Sequence, residues 1–202
     1  MVSLHKEEIL KAITQERELD YQFDGLVKGF DEKLKYLTNE EYNFDLKDYF
    51  GKGSGVATAR TKLVEDKKIR VEWLMNKTEG DESALDFKGL YVFKTQENNP
   101  FYVGISRGVI NRVNQHIKGN SHRTASLAYK IGLKYHEVVK PGRVHLGERG
   151  ALDFETYVKP VQELLLNQKV AWVKVENDEE LYLFEVYCSL KFKTNLNSFK
   201  TH

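Results

Sequence analysis

Two tyrosines and the pair of basic side chains that follows them have the clearest capacity for chemistry in this chain. Tyr91 and Tyr102 each lie in a short segment rich in β-branched and aromatic residues. A polar turn that ends in a proline separates these segments, so they are predicted to form a β-hairpin. Arg112 and His116 follow at a spacing of four residues and therefore lie one turn apart on a helix. Phenols, a guanidinium and an imidazole in this arrangement can hold a phosphate group.

The spacing of these residues is more specific than their types. The motif consists of Gly89-Leu90-Tyr91, ten intervening residues and Tyr102-Val103-Gly104. Arg112 comes ten residues after the second tyrosine, and Glu185 is followed twelve residues later by Asn197. This order and spacing resemble the GIY-YIG nuclease superfamily over residues 86–202. Leucine and valine replace the two consensus isoleucines, and both are apolar substitutions at core-facing positions.

The resemblance implies a role for each residue in metal-dependent cleavage of DNA. Tyr91 is assigned as the general base and Tyr102 orients the attacking water or the phosphate, although the sequence leaves the reverse open. Arg112 is expected to hold a non-bridging oxygen of the scissile phosphate, because its guanidinium is always charged. His116 is expected to relay the proton from Tyr91 or to hydrogen-bond the phosphate. Without the resemblance, all four could be ordinary strand tyrosines and helix residues.

The resemblance also implies a divalent metal. Glu185 is the expected ligand of Mg²⁺ or Mn²⁺, since Mg²⁺ typically takes only one or two protein carboxylates. The flanking residues are apolar, and an unpaired carboxylate among them would be costly. Asn197 is counted with the catalytic residues and is expected to hold the C-terminal segment or to orient a group near the substrate; a simple turn asparagine is the alternative. No organic cofactor is expected.

Positive charge is concentrated beside these residues, although the net charge of the chain is only +1. Residues 102–144 contain eight basic residues and one acidic residue. Such a concentration can bind a polyanion, whereas the plain alternative is a solvated helical face. The residues expected to contact nucleic acid are Arg107, Lys118, Arg123 and Lys130.

Composition excludes several other classes of protein. An apolar content of 41% over 202 residues suits a packed core rather than a disordered chain. The single cysteine, Cys188, excludes an intrachain disulfide and a thiolate metal site and is expected to pack in the last helix. Apolar runs are too short for a transmembrane helix, and the N-terminus becomes charged before a signal peptide could form. A soluble, cytoplasmic protein is therefore expected.

The pattern of elements predicts an α/β fold. Residues 86–202 should form the GIY-YIG nuclease domain, with helices flanking a three-stranded antiparallel sheet at about 89–94, 101–106 and 169–175. Residues 1–85 are predicted to be a mainly helical region. Its first helical stretch, residues 3–37, is expected to be interrupted at Gly25 and Gly29.

Several local patterns in the chain refine this outline. Alternation of Ile69, Val71 and Trp73 favours a further strand. The polar, acidic residues 76–86 form the best candidate for a linker. Pro160 is expected to kink or divide a helix over 150–168.

Cleavage of DNA by a restriction-type or phage-type endonuclease is the function that the resemblance favours. The helical region before the nuclease domain is expected to supply target contacts or a dimer surface. With one site per chain, cutting both strands requires a homodimer or two successive nicks. Two other classes stay open: an inactive or regulatory nucleic-acid-binding protein that keeps the fold, and an RNA-cleaving, structure-specific or metal-free phosphodiesterase.

Overall fold

A four-stranded antiparallel sheet forms the centre of the computed structural model, which describes residues 22–75, 85–139 and 152–197. The strands are β1 (Phe44–Asp45), β2 (Gly89–Lys94), β3 (Pro100–Ser106) and β4 (Lys169–Lys174), in the spatial order β1-β4-β2-β3. The predicted α/β class with an antiparallel sheet is confirmed, but the predicted number of three strands is wrong. The additional strand, β1, comes from the N-terminal region and pairs with β4.

Eight α-helices flank the sheet within the described residues. They are α1 (Phe23–Lys28), α2 (Phe30–Thr38), α3 (Leu46–Phe50), α4 (Val56–Glu65), α5 (Val109–Lys118), α6 (Ser126–Val139), α7 (Lys159–Leu166) and α8 (Asp178–Lys191). Gly29 separates α1 from α2 as predicted, whereas Gly25 lies inside α1. A π-helical turn, Phe154–Val158, leads into α7, and Pro160 stands in the first turn of that helix, so the predicted division is confirmed. None of these helices is long and apolar enough to cross a membrane.

The two faces of β2 pack against different sets of helices. All six residues of this strand are buried, and successive side chains point to opposite faces. Tyr91 and Phe93 belong to a core formed with α3, α4, α5, α6 and α7. Leu90 and Val92 belong to a second core formed with α2 and α8. Side chains of the N-terminal region contribute to both cores, and a domain boundary at residue 85 stays a prediction.

The N-terminus of α5 is held by the residues that immediately precede β2. The backbone N–H of Val109 donates to the carbonyl of Phe87 at 3.0 Å. The carboxylate of Asp86 accepts from the N–H groups of Ile110 and Asn111 at 2.9 and 3.0 Å. The first N–H groups of a helix have no partner within the helix, so these bonds fix where α5 begins relative to β2.

Two sequence predictions need correction or lie outside the described chain. The strand predicted from Ile69, Val71 and Trp73 is wrong, because residues Val71–Trp73 form a 3₁₀ turn. Ile69 is buried and Trp73 is half-buried, whereas Val71 is 63% exposed. Only Ile69 and Trp73 pack against the core, so the alternation of the three residues does not mark a strand. The linker predicted at 76–86 lies outside the described residues except for its last two, and Asp86 is a buried helix cap.

Replacing Asp86 with alanine is expected to lower the free energy of unfolding by about 1–3 kcal/mol, because buried N–H groups lose their acceptor. Urea denaturation measures this change. The matched control is Glu163→Ala, which removes an exposed carboxylate from α7. Equal losses of stability in the two variants would contradict the capping role of Asp86.

Candidate active site

A buried hydrogen bond joins the first tyrosine of the hairpin to α5. The Oη atom of Tyr91 lies 2.8 Å from Nε2 of His116, and both side chains are almost fully buried. The backbone N–H of Leu127, in α6, donates to Nδ1 of His116 at 3.3 Å. Because Nδ1 accepts this bond, the proton of the neutral imidazole is on Nε2. His116 therefore donates to the oxygen of Tyr91.

The environment keeps the imidazole uncharged. Burial lowers the pKa of His116 well below its ordinary value, and the positive charge of Arg112 lowers it further. Both ring nitrogens are occupied by protein partners. This arrangement orients the hydroxyl of Tyr91, and it disfavours the two roles expected for His116, proton acceptor from Tyr91 and direct contact with phosphate.

The two motif glycines make room for close contacts within the sheet. Gly104 lies directly opposite Tyr91 in the pairing of β2 with β3, and a Cβ atom at Gly104 would overlap the ring and the hydroxyl of Tyr91. A Cβ atom at Gly89 would overlap the carbonyl oxygen of Val173 in β4. The glycine on β3 lets the ring of Tyr91 lie across that strand, where its centroid is 6.3 Å from that of Tyr102.

The two tyrosines differ in exposure and in their electrostatic environment. Tyr91 is only 1% exposed, and burial raises its pKa well above the ordinary value. Tyr102 is partly exposed; burial and the negative charge of Glu185 raise its pKa. Arg112 and a hydrogen bond from Tyr91 oppose this rise. Tyr102 is therefore the phenol that lines a surface cleft, formed with residues of α6. The hydrogen bond from Tyr91 stabilises its ionised form.

Arg112 is held in position by the start of α6. One terminal nitrogen, Nη1, donates to the side chain of Gln115 at 3.0 Å and to the carbonyl of Thr124 at 3.2 Å, and Nη2 donates to Oγ of Ser126 at 2.6 Å. These bonds use three of the five N–H groups of a guanidinium. Its charge acts on Tyr91, Tyr102 and His116, so the structure brings these four residues together.

Glu185, in α8, acts electrostatically on the two tyrosines. Its charge raises the pKa of both tyrosines, although α8 is more than eighty residues away in sequence. Burial raises the pKa of the Glu185 carboxyl itself, and the positive charge of Lys130 partly offsets that rise. Within the described part of the chain, no donor hydrogen-bonds to this half-buried carboxylate.

Asn197 binds the backbone of β3 rather than pointing at the tyrosines. Its Oδ1 accepts from the N–H of Val103 at 2.9 Å, and its Nδ2 donates to the carbonyl of Val103 at 2.8 Å. Thr194 donates a further bond to Oδ1 at 2.9 Å. Because β3 is an edge strand, these bonds satisfy backbone groups that no neighbouring strand reaches. The geometry is that of a clamp on the C-terminal segment, the first of the two roles expected for Asn197.

The four predicted nucleic-acid contacts lie in different environments. Lys130 is half-buried beside Tyr102, and Arg123 is exposed just before α6. Arg107 forms an exposed ion pair with Asp178 at 3.3 Å. Lys118 donates to the carbonyls of Gly51 and Ser54 at 2.8 and 2.7 Å, so its ammonium holds a glycine-rich loop.

Sequence reasoning missed the residues that orient the site. Ser126 and the backbone of Leu127 bind Arg112 and His116, and Asp86 positions the helix that carries both. Serines and backbone amides carry no distinctive pattern. Asp86 has a weak signal, an acidic residue directly before a buried strand, but its partners lie 24 and 25 residues away.

The hairpin is surrounded by two phenols, a fixed guanidinium, a neutral imidazole and a half-buried carboxylate, and such groups can bind and polarise a phosphate ester. The family model of the GIY-YIG catalytic domain matches residues 87–163. These residues therefore match the catalytic domain of the GIY-YIG nuclease superfamily, which supports a nuclease-type function at the level of that superfamily. Comparison with curated proteins and with solved structures gave no match. Glu185 and Asn197 lie beyond the matched residues, and only their positions in the fold associate them with the site.

The folded state is expected to lose stability as the pH falls below about 6.5. The pKa of His116 is lower in the folded chain than in the unfolded chain. Its contribution to stability is therefore complete above the unfolded pKa of about 6.5 and decreases by at most about 1.4 kcal/mol per pH unit below it. Urea denaturation between pH 7.5 and 5 measures the slope. His116→Gln should flatten it, and an unchanged slope in that variant would contradict this assignment.

Proposed function

We propose that the protein is a Mg²⁺-dependent endonuclease of restriction type that hydrolyses DNA phosphodiester bonds. The observation that carries this proposal is the common electrostatic neighbourhood of Tyr91, Tyr102, Arg112, His116 and Glu185. Phosphodiester hydrolysis needs a base for the attacking water and positive charge beside the phosphate oxygens. The residues of this neighbourhood provide both.

Exposure and hydrogen bonding favour Tyr102 as the general base, the alternative that the sequence left open. Tyr91 is almost fully buried and accepts a hydrogen bond from His116. Its own hydroxyl proton is then available to the oxygen of Tyr102, and hydrogen bonding from Tyr91 lowers the pKa of Tyr102. In this proposal Tyr102 takes a proton from water as the water attacks phosphorus, while Tyr91 and His116 position it.

Arg112 is proposed to bind a non-bridging oxygen of the scissile phosphate. Three of its N–H groups bind Gln115, Thr124 and Ser126. A further hydrogen bond reaches Tyr91, so the group that faces Tyr91 and the remaining N–H are the ones proposed to meet a substrate. Because the start of α6 already fixes the guanidinium, little side-chain entropy is lost on binding.

The residues present fit a divalent metal of the Mg²⁺ type. Glu185 offers a half-buried carboxylate without a hydrogen-bond donor among the described residues. The described chain contains no group of three or more His, Cys, Asp or Glu side chains that could hold a metal, which suits an ion that keeps most of its waters. When bound, Mg²⁺ or Mn²⁺ would neutralise charge on the phosphate and the leaving oxygen.

The contacts with DNA are proposed from the positive charge beside the site, and the homodimer is proposed because each chain has a single site. Lys130, beside Tyr102, and the exposed Arg123, next to His122 in sequence, are proposed to contact the DNA backbone. The ammonium of Lys118 instead binds two carbonyls of the loop between α3 and α4. The N-terminal region is proposed to supply target contacts or the surface of a homodimer. The restriction-type role and the cytoplasmic location stay predictions.

Glu185→Gln is expected to reduce Mg²⁺-dependent plasmid nicking at least about a hundredfold, since it removes the charge that would hold the metal. The free energy of unfolding should not fall, because a partly desolvated carboxylate becomes neutral. The matched control is Glu137→Gln, an exposed glutamate on α6.

Three outcomes would count against this function. Equal activity of Glu185→Gln and the wild type would favour a binding protein that keeps only the fold. Undiminished cleavage in EDTA would favour a metal-free phosphodiesterase. Preferential cutting of RNA over DNA of the same sequence would favour RNA processing.

The two tyrosines are expected to respond differently to loss of the hydroxyl group. Tyr102→Phe should lower the cleavage rate by about 10²–10⁴-fold, the usual contribution of a general base. It should also abolish a rise of about tenfold per pH unit between pH 7 and 9, which is expected because the raised pKa leaves little phenolate at neutral pH. Tyr91→Phe should slow cleavage less and keep the pH dependence. Single-turnover cleavage over this pH range decides between them, and the opposite result would restore Tyr91 as the base.

A further inference from the structure

A cleft of about 330 Å³ is lined by Tyr102 and extends from it over residues that have no part in the proposed reaction step. Apart from Tyr102, its walls come from α6 and the turn before it, namely His122, Ser126, Leu127, Tyr129, Lys130 and Leu133. A larger cavity, about 650 Å³, is lined by none of the proposed catalytic residues. The smaller cleft is therefore the one that substrate at the reaction site would meet.

One side of this cleft is polar and positively charged. Lys130 is half-buried, and burial lowers its pKa. Oγ of Ser126 already accepts a bond from Arg112, so the cleft continues directly from the proposed phosphate-binding guanidinium. Lys130 is its only charged lining residue among those described. This side suits a phosphate next to the scissile one.

The rest of the lining is mainly aromatic and apolar. The ring of Tyr129 meets the ring of His122 edge-on, with centroids 5.1 Å apart. His122 is in turn held by the carbonyl of Leu152 at 2.8 Å and by an edge-on contact with Phe154. The contact with His122 therefore restrains the ring of Tyr129, and Leu133 adds apolar surface to the cleft. A rigid aromatic ring of this kind is a stacking surface for a nucleobase.

The volume restricts what can enter. Pockets for small molecules span about 300–1,000 Å³, and this cleft lies at the lower end of that range. It can take one nucleotide, whereas a base that stays paired and stacked in a duplex cannot reach its aromatic side.

We infer that this cleft binds a single unpaired nucleotide next to the scissile phosphate, with its phosphate beside Lys130 and its base against Tyr129. The inference rests on the proposed nuclease function and specifies its substrate: DNA that carries an unpaired or extruded nucleotide at the cut. His122 is a positioning residue for Tyr129.

Fluorescence of 2-aminopurine tests the inference independently of cleavage. The probe is a DNA duplex with one bulged 2-aminopurine, compared with the same duplex fully paired, both in EDTA. The wild type is expected to quench the bulged base and to bind that duplex about five- to a hundredfold more tightly than the paired one, as for stacking of one base on an aromatic side chain. Tyr129→Leu should lose both effects, and Tyr129→Phe should keep them.

The control is Tyr135→Leu, which changes an exposed tyrosine on the same helix outside the cleft and should behave like the wild type. Circular dichroism of each variant checks folding. Quenching that depends on Tyr129 supports the inference whether or not cleavage is observed. Absence of quenching, or quenching that survives in Tyr129→Leu, overturns it, even if Mg²⁺-dependent cleavage of paired DNA establishes the nuclease function.

Discussion

The position of α5 against β2 is the constraint on which the rest of the site depends. A buried carboxylate, Asp86, and the carbonyl beside it accept the first three N–H groups of that helix. The dependence is mutual, because the buried carboxylate and the helix N-terminus would each be costly without the other. Once the helix start is set, Arg112 falls beside α6 and His116 falls beside Tyr91.

A series of hydrogen bonds connects the buried core with the cleft beside Tyr102. The amide of Leu127 sets the tautomer of His116, which donates to Tyr91, which in turn favours the ionised form of Tyr102. Most of these hydrogen bonds are buried, where they are strong and an unpaired group is costly. Only Tyr102, at the end of the series, is in contact with solvent. Opposite charges then act on Tyr102, since Arg112 lowers its pKa and Glu185 raises it.

The N-terminal region is part of the scaffold of this site. Strand β1 completes the sheet at one edge, and Leu46, Phe50 and Leu63 pack in the same core as Tyr91. Lys118, at the end of α5, holds the loop between α3 and α4 through two carbonyls. A two-residue strand has too little pattern to be recognised in sequence, because strand signals need several alternating residues.

The sequence by itself determined the hairpin, the helix after it, the breaks at Gly29 and Pro160, and the match to the GIY-YIG domain. These features depend on local spacing and backbone preference, which a single chain displays directly. Only the tertiary structure decided the rest: the fourth strand, the turn at Val71–Trp73, the cap by Asp86 and the proximity of Glu185 to the tyrosines. It also distinguished a fully buried phenol, Tyr91, from a partly exposed one, Tyr102, because burial and charge depend on residues that are distant in sequence and meet only when the chain folds.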